Sequence, residues 1–100
     1  MDGLHKRASG QYELSGEMTF ASVPSLWKNA DWSADDAREI HLDLAKVERF
    51  DSAALALLLG WMASLEQAKR SLILLNVPPK MVEIAQVSNL DALLNLEAQR

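Results

Sequence analysis

Residues 40–60 read IHLDLAKVERFDSAALALLLG, and this stretch decides the fold class. Apolar and polar side chains alternate over residues 40–44, which is the period of a β-strand with one buried face. Residues 46–49, KVER, then predict a turn. Asp51 precedes a long apolar segment, and its carboxylate can cap a helix by accepting an unpaired backbone N–H at the positive helix end. We therefore predict a strand, a turn and a helix that ends near Lys69.

The segment after this helix predicts a second strand. Residues 72–77, LILLNV, form a near-continuous apolar run, as expected of a strand that is covered on both faces. Pro78 and Pro79 end the run. Two strands that are joined by a helix form a βαβ unit, which is almost always right-handed and parallel. The predicted fold class is therefore α/β.

The flanking segments complete a small mixed sheet that is packed with helices. Residues 4–8 and 12–15 predict a hairpin whose second strand ends at Gly16, and Ser22 suits the start of a helix. Residues 31–38 are polar and acidic and predict a solvated connection.

The C-terminal part predicts a short helix over residues 80–87 and a last helical turn over residues 91–96. The predicted order is β-β-α-β-α-β-α-α. One hundred residues suffice for one domain, and no linker or repeat divides residues 1–100.

The composition excludes several functional classes. Ten Lys and Arg against fourteen Asp and Glu give a net charge of −4, which argues against a nucleic-acid-binding protein. There is no cysteine, so disulfides, thiolate nucleophiles and zinc–cysteine sites are excluded. The longest uncharged stretch, residues 52–65, is shorter than the ~20 residues of a spanning helix, and the N-terminus lacks the apolar segment of a secretory signal. We expect a cytoplasmic protein that does not insert directly into a membrane.

The long helix has two different faces. Its apolar side chains share one broad stripe that predicts the core: Ala54, Leu55, Leu58, Trp61, Met62 and Leu65. The opposite side, the uncharged face, carries only small or neutral residues: Ser52, Ala53, Ala56, Gly60, Ala63, Ser64 and Gln67. A solvated helix face normally collects Lys and Glu, so these residues predict that another backbone covers them. Either the chain's own helices or a partner protein can do so.

Gly60 and Ser52 carry most of the functional information on this face. A glycine inside a helix costs ~1 kcal/mol of helix stability relative to alanine, so the presence of Gly60 requires an explanation. It favours a partner protein as the neighbour that covers this face. Ser52 lies in the first turn and either supplements the Asp51 cap or accepts a phosphoryl group. A phosphoserine adds about −1.5 to −2 of charge, which would expel a partner that packs over the same turn.

The sequence contains no catalytic arrangement. Ser52 does not lie in a Gly-x-Ser-x-Gly elbow, and there is no Gly-rich phosphate-binding loop. His41 and Asp43 are two residues apart on one strand, which is compatible with a metal pair or with a hydrogen-bonded histidine. Trp32 is either a core or rim residue or an interface anchor. Asp35 and its neighbour Asp36 predict a solvated acidic turn.

The order of the segments resembles the STAS domain family. Residues 42–60 are similar to its central motif, in which a strand and a short turn precede Asp-Ser or Asp-Thr, small residues and a Leu-rich helix. Residues 14–18 (LSGEM), 74–79 (LLNVPP) and 89–94 (NLDALL) resemble the flanking segments. The resemblance covers nearly the whole chain and implies a regulatory interaction module that is not an enzyme and needs no cofactor.

Two branches of that family imply different partners. In one branch, a stand-alone STAS subunit binds the ATPase of the Mla-type ABC transporter, which moves phospholipids and maintains outer-membrane lipid asymmetry. Residues 25–28 (SLWK) and 51–59 (DSAALALLL) resemble that subunit. In the other branch, anti-sigma factor antagonists, a serine kinase that also acts as the anti-sigma factor phosphorylates the position of Ser52. Ala53 and Ala54 replace the usual Ser/Gly-rich pair, and this departure favours the transporter branch.

The resemblance also implies which residues bind the partner. We expect the interface to include Asp51, Ser52, Ala53, Ala56, Gly60 and Ala63. In the transporter branch, the chain would lie at the periphery of the inner membrane through its ATPase. In the alternative branch, Ser52 would be the phosphorylated residue.

Overall fold

The structure is a computed structural model that describes residues 2–94. Along the chain it contains β1 (Gly3–Ala8), β2 (Gln11–Met18), α1 (Val23–Asn29), a 3-10 helical turn (Trp32–Ala34), β3 (Glu39–Phe50), α2 (Ala53–Gln67), β4 (Ser71–Leu75) and α3 (Pro79–Val87). The four strands form one mixed sheet in the order β1–β2–β3–β4. The α/β class and the small mixed sheet are confirmed.

Strand pairing builds the sheet from two local units. Strands β1 and β2 are antiparallel and form the predicted hairpin. Strands β3 and β4 are parallel and flank α2, which is the predicted βαβ unit. Strands β2 and β3 are also parallel, so α1 and the 3-10 turn lie in a second crossover. This pairing places the end of the hairpin beside the end of β3, where α2 begins.

Strands β2 and β3 are longer than predicted. Gly16 does not end β2, because its φ of +89° falls at a shift in pairing register and bends a strand that continues to Met18. Residues 46–49, predicted as a turn, instead pair with residues 15–17 of β2. Backbone pairing with a strand that is distant in sequence stabilises this segment without an apolar period of its own.

Strand β4 is covered on one face only, so the predicted covering on both faces is wrong. Leu72 and Leu74 are buried, whereas Ile73 is half-buried and Leu75 is exposed. The five residues of this edge strand are almost all apolar, so their sequence does not show which side chains face the core. The strand ends at Leu75, and Asn76 follows with a left-handed φ of +54°.

The apolar stripe of α2 lies at the centre of the core. The predicted stripe is buried at Ala54, Leu55, Leu58, Trp61 and Leu65 and half-buried at Met62, and Leu57 is buried as well. These side chains form one cluster with the buried residues of the sheet, such as Leu14 and Leu42.

Trp32 is a core residue, which corrects the prediction of a solvated connection and removes the possibility of an interface anchor. Its ring meets Tyr12 at 4.9 Å and Trp61 at 5.3 Å between centroids, both edge to face. Only 8% of Trp32 is exposed. The polar neighbours of Trp32 in the sequence concealed a side chain that fills the space between the sheet and α2.

Asp35 is also buried, so the predicted solvated turn at this position is wrong. Its carboxylate accepts hydrogen bonds from the backbone N–H groups of Gly10 at 2.6 Å and Ala37 at 2.9 Å. The hydroxyl of Tyr12 donates to the same carboxylate at 3.2 Å, and Lys6 lies 3.6 Å away. The buried charge is therefore paired and hydrogen-bonded, as burial of a carboxylate requires.

Arg70 closes the same connection from the other side. Its guanidinium donates to the backbone carbonyls of Trp32, Asp35 and Ala37 at 2.6–2.8 Å. Arg70 lies just beyond the end of α2, and these three carbonyls all belong to the connection between α1 and β3. Residues 31–38 are thus tied to the hairpin and to the start of β4.

The C-terminal part begins with the predicted short helix, since α3 starts at Pro79 and buries Met81 and Ala85. Residues 91–94 form a turn, and residues 95–96 of the predicted last helical turn lie outside the described residues. Among residues 2–94, no helix is long and apolar enough to cross a membrane.

Candidate partner-binding site

The first turn of α2 is organised by Asp51. One carboxylate oxygen of Asp51 accepts the backbone N–H of Ala53 at 2.9 Å, which is the capping interaction that the sequence predicts. The other oxygen accepts the backbone N–H of Phe20 at 3.1 Å. Asp51 therefore joins the start of α2 to the loop between β2 and α1, a contact that the sequence does not reveal.

Ser52 and Ala53 take opposite positions in this turn. Ser52 is exposed, has helical dihedral angles and makes no side-chain capping bond to the helix. Ala53 is buried, as is Ala54 after it. The hydroxyl of Ser52 therefore faces outward, while the two alanines hold the backbone of the first turn against the core.

The middle of α2 exposes the small residues of the uncharged face. Ala56, Ala63 and Ser64 are exposed, and Leu59 between them is half-buried. Ser52, Ala56 and Ala63 are spaced by four and seven residues, so they share one side of the helix. No charged side chain belongs to α2 before Glu66. Small, uncharged residues are thus exposed near the start of α2 and again in its third turn.

Gly60 is covered by the chain itself, by the ring of Trp27 from α1. A Cβ built on Gly60 would lie 2.8 Å from the Cζ3 atom of Trp27, which is closer than real Cβ contacts. The intramolecular reason for this glycine is therefore the close approach of α1. Trp27 itself remains 51% exposed, so its ring covers the middle of the uncharged face and is accessible to a partner.

We expect Gly60→Ala to displace the Trp27 ring without unfolding the protein. The clash is with the outer edge of a half-exposed side chain, and alanine favours the helix by about 1 kcal/mol over glycine. The free energy of unfolding should therefore change by no more than about 1 kcal/mol. Acrylamide quenching of tryptophan fluorescence should increase, because the displaced Trp27 ring becomes more accessible. Trp32 and Trp61 stay buried, so the change reports on Trp27 alone. Unchanged quenching would show that the ring tolerates the added methyl group in place.

Phe20 is an exposed aromatic residue of this region that the sequence does not mark as functional. It follows Thr19 in the loop between β2 and α1 and is 74% exposed. The only signal in the sequence is one large aromatic among small and polar residues, TFAS at positions 19–22. Asp51 therefore joins the loop of Phe20 to the start of α2, and Trp27 joins α1 to the middle of α2 at Gly60.

The histidine and aspartate of β3 lie elsewhere. His41 and Asp43 line a shallow cavity of about 330 Å³ on the sheet, together with Arg7, Glu13 and Leu75. Asp43 accepts the backbone N–H of Ala45 at 2.9 Å and the side-chain amide of Asn76 at 3.1 Å. Within residues 2–94, no three His, Asp or Glu side chains are placed to hold a metal ion.

Comparisons with known proteins agree with this architecture. The model of the family described as "Mlab, STAS domain" matches residues 4–95. The phosphorylated form of SpoIIAA, a Bacillus cell fate determinant, is similar at 25% identity and a TM-score of 0.64, over 92% of this chain and 86% of that chain. The unphosphorylated anti-sigma factor antagonist SpoIIAA is 24% identical, with a TM-score of 0.64 over 86% and 82%.

A protein of Thermotoga maritima has the same fold, with 21% identity and a TM-score of 0.67 over 87% of this chain and 78% of that chain. No curated protein gives a significant match to the sequence.

Proposed function

The chain belongs to the STAS domain family that is described as Mlab, and we propose that it is a non-catalytic regulatory or assembly subunit of an Mla-type ABC transporter. In this role it binds the cytoplasmic ATPase of a transporter that moves phospholipids and maintains outer-membrane lipid asymmetry. It is a cytoplasmic domain, residues 1–100, held at the inner membrane by its partner.

The observation that carries this proposal is the exposure of small, uncharged residues on one side of α2. Ser52, Ala56 and Ala63 are exposed along one side of the helix, and small side chains let another backbone approach closely. The half-exposed ring of Trp27 lies against Gly60, between Ala56 and Ala63, and tryptophan is among the residues that dominate binding energy at protein interfaces. The surface therefore suits a protein partner that lays a helix or a loop along α2.

The expected interface residues contribute to this surface in different ways. Ser52, Ala56 and Ala63 would contact the partner directly. Ala53 is buried and Gly60 lies under Trp27, so these two shape the surface from below. Asp51 fixes the first turn through its carboxylate.

A second candidate function is favoured by the exposure of Ser52. Its hydroxyl faces outward at the positive end of α2, where a kinase could reach it and where the helix dipole would accommodate a phosphate. The chain would then be an anti-sigma factor antagonist whose partner is a serine kinase that also acts as the anti-sigma factor. Ala53 and Ala54 weigh against this function, because they replace the usual Ser/Gly-rich pair and stiffen the first turn of α2 next to Ser52.

One experiment with two purified partners separates the two functions. The chain is titrated into the ATPase subunit of the Mla-type transporter from the same organism, with binding measured by calorimetry and ATP hydrolysis measured in parallel. It is also incubated with the serine-kinase anti-sigma factor and ATP, and its mass is recorded. We expect a stoichiometric complex with the ATPase, altered ATP hydrolysis and no added phosphate.

Two results would contradict the transporter function. The first is the absence of binding to the ATPase at micromolar concentrations. The second is the addition of one phosphate to the chain in the presence of the kinase, if the Ser52→Ala variant does not receive it. Ser64→Ala is the matched control, since Ser64 is an exposed serine of the same helix.

A further inference from the structure

Phe20 is an exposed aromatic side chain that is held in a fixed loop. With 74% of its surface exposed, it is one of the two most exposed large apolar residues among residues 2–94, the other being Val87 on α3. An isolated exposed apolar residue is ordinary on a protein surface. The distinguishing feature of Phe20 is the set of hydrogen bonds that fixes its backbone.

The loop of Phe20 is anchored from both sides. The Ser22 hydroxyl donates to the carbonyl of Glu17 at 2.8 Å and accepts the backbone N–H of Thr19 at 2.8 Å. The backbone N–H of Phe20 donates to the carboxylate of Asp51 at 3.1 Å. Because the backbone is already ordered, Phe20 would lose little conformational freedom on binding, which is the property of an effective interface anchor.

The same bonds place Phe20 beside the first turn of α2. Asp51 accepts from Phe20 with one oxygen and from Ala53 with the other, so the loop and the helix start are joined through one carboxylate. The surroundings are acidic, because Asp51 and Glu17 lie next to the loop and Arg49, 3.8 Å from Glu17, offsets only one of them. A partner that receives Phe20 would therefore need an apolar pocket with a cationic border.

We propose that Phe20 is an anchor of the partner-binding surface, that Asp51 positions it, and that an apolar pocket with a cationic border on the transporter ATPase receives it. The inference rests on the proposed function, because it adds Phe20 to the surface that is proposed to bind the ATPase. Asp51 acts in this arrangement as a positioning residue and does not need to touch the partner.

The test measures the affinity of purified variants for the ATPase subunit of the Mla-type transporter. We expect Phe20→Ala to weaken binding by roughly tenfold to thirtyfold, as for a buried interface aromatic. Val87→Ala is the matched control, because it also truncates an exposed apolar side chain but lies on α3. It should bind within about twofold of the wild type. Neither variant should lower Tm by more than about 3 °C, since both side chains are exposed.

Asp51→Asn tests the positioning role. Asparagine caps helices as well as aspartate but has a single acceptor oxygen, so the cap on Ala53 can persist while the bond from Phe20 is lost. We expect binding to weaken by about threefold to tenfold with Tm lowered by no more than about 5 °C. At about 0.5 M salt, which screens the charge of Asp51, the double variant with Phe20→Ala should bind no more weakly than Phe20→Ala alone, because Asp51 then acts only through Phe20.

The outcomes separate this inference from the proposed function. If the wild type binds and Phe20→Ala binds equally well, the role of Phe20 is refuted while the transporter function stands. If the two substitutions still weaken binding additively at about 0.5 M salt, Asp51 contacts the partner itself and the positioning role is refuted. If neither the wild type nor Val87→Ala binds the ATPase, the transporter function fails, and the proposed pocket on the ATPase fails with it.

Discussion

Ala56→Arg is expected to abolish binding of the ATPase, with a loss of affinity of about a hundredfold or more. Ala56 is exposed at the centre of the uncharged face, so an arginine there would stand where the partner's backbone must approach. Arginine is nearly as favourable in a helix as alanine, so the fold of the free chain should be unaffected. Calorimetric titration measures the loss of affinity, and thermal unfolding verifies the fold.

Two further variants identify the cause of this loss. Ala63→Glu adds a charge of the opposite sign on the same face and should also abolish binding, because the obstacle is the size and the charge of the side chain. Gln86→Arg adds the same arginine at an exposed position of α3 and should bind normally. If Ala56→Arg binds with full affinity, the uncharged face is not the interface. If it unfolds the free chain, the face belongs to the core.

Asp35→Ala is expected to cause the largest loss of stability among the exchanges of acidic residues, with Tm lower by roughly 10 °C. The substitution leaves the buried backbone N–H groups of Gly10 and Ala37 without their acceptor and removes the partner of the Tyr12 hydroxyl. Asp36→Ala is the control, because Asp36 is the exposed neighbour, and should shift Tm by less than about 2 °C. Differential scanning calorimetry measures both, and equal Tm values for the two variants would contradict a structural role of Asp35.

The stability that Asp35 provides should also depend on pH. The backbone N–H groups of Gly10 and Ala37 hold the pKa of the Asp35 carboxyl well below its usual range. A carboxyl whose pKa is lower in the folded than in the unfolded state stabilises the fold above its unfolded pKa of about 4, and this contribution is lost as the pH falls through the folded pKa. The difference in unfolding free energy between the wild type and Asp35→Asn should therefore be constant near neutral pH and shrink below about pH 4. A difference that stays constant down to pH 2 would contradict this origin.

The sequence by itself determined the elements whose signals are local. The apolar stripe of α2, the hairpin and the strand–helix–strand unit each follow from a period within one segment, and all three are present. The uncharged face was also visible, because absence of charge over residues 52–65 is a property of the helix alone.

Only the tertiary structure decided the features that depend on two distant segments. Residues 46–49 are strand because β2 pairs with them. Asp35 can be buried because the hairpin donates hydrogen bonds to its carboxylate and Arg70 donates one to its backbone carbonyl. Gly60 is small because α1 places the Trp27 ring against it. Each of these features depends on contacts between residues that lie far apart in the sequence. The pattern of one segment does not indicate which distant segment will contact it. For the same reason, the bond from Phe20 to Asp51 emerges only in the folded chain, where it joins a loop to the turn that begins α2.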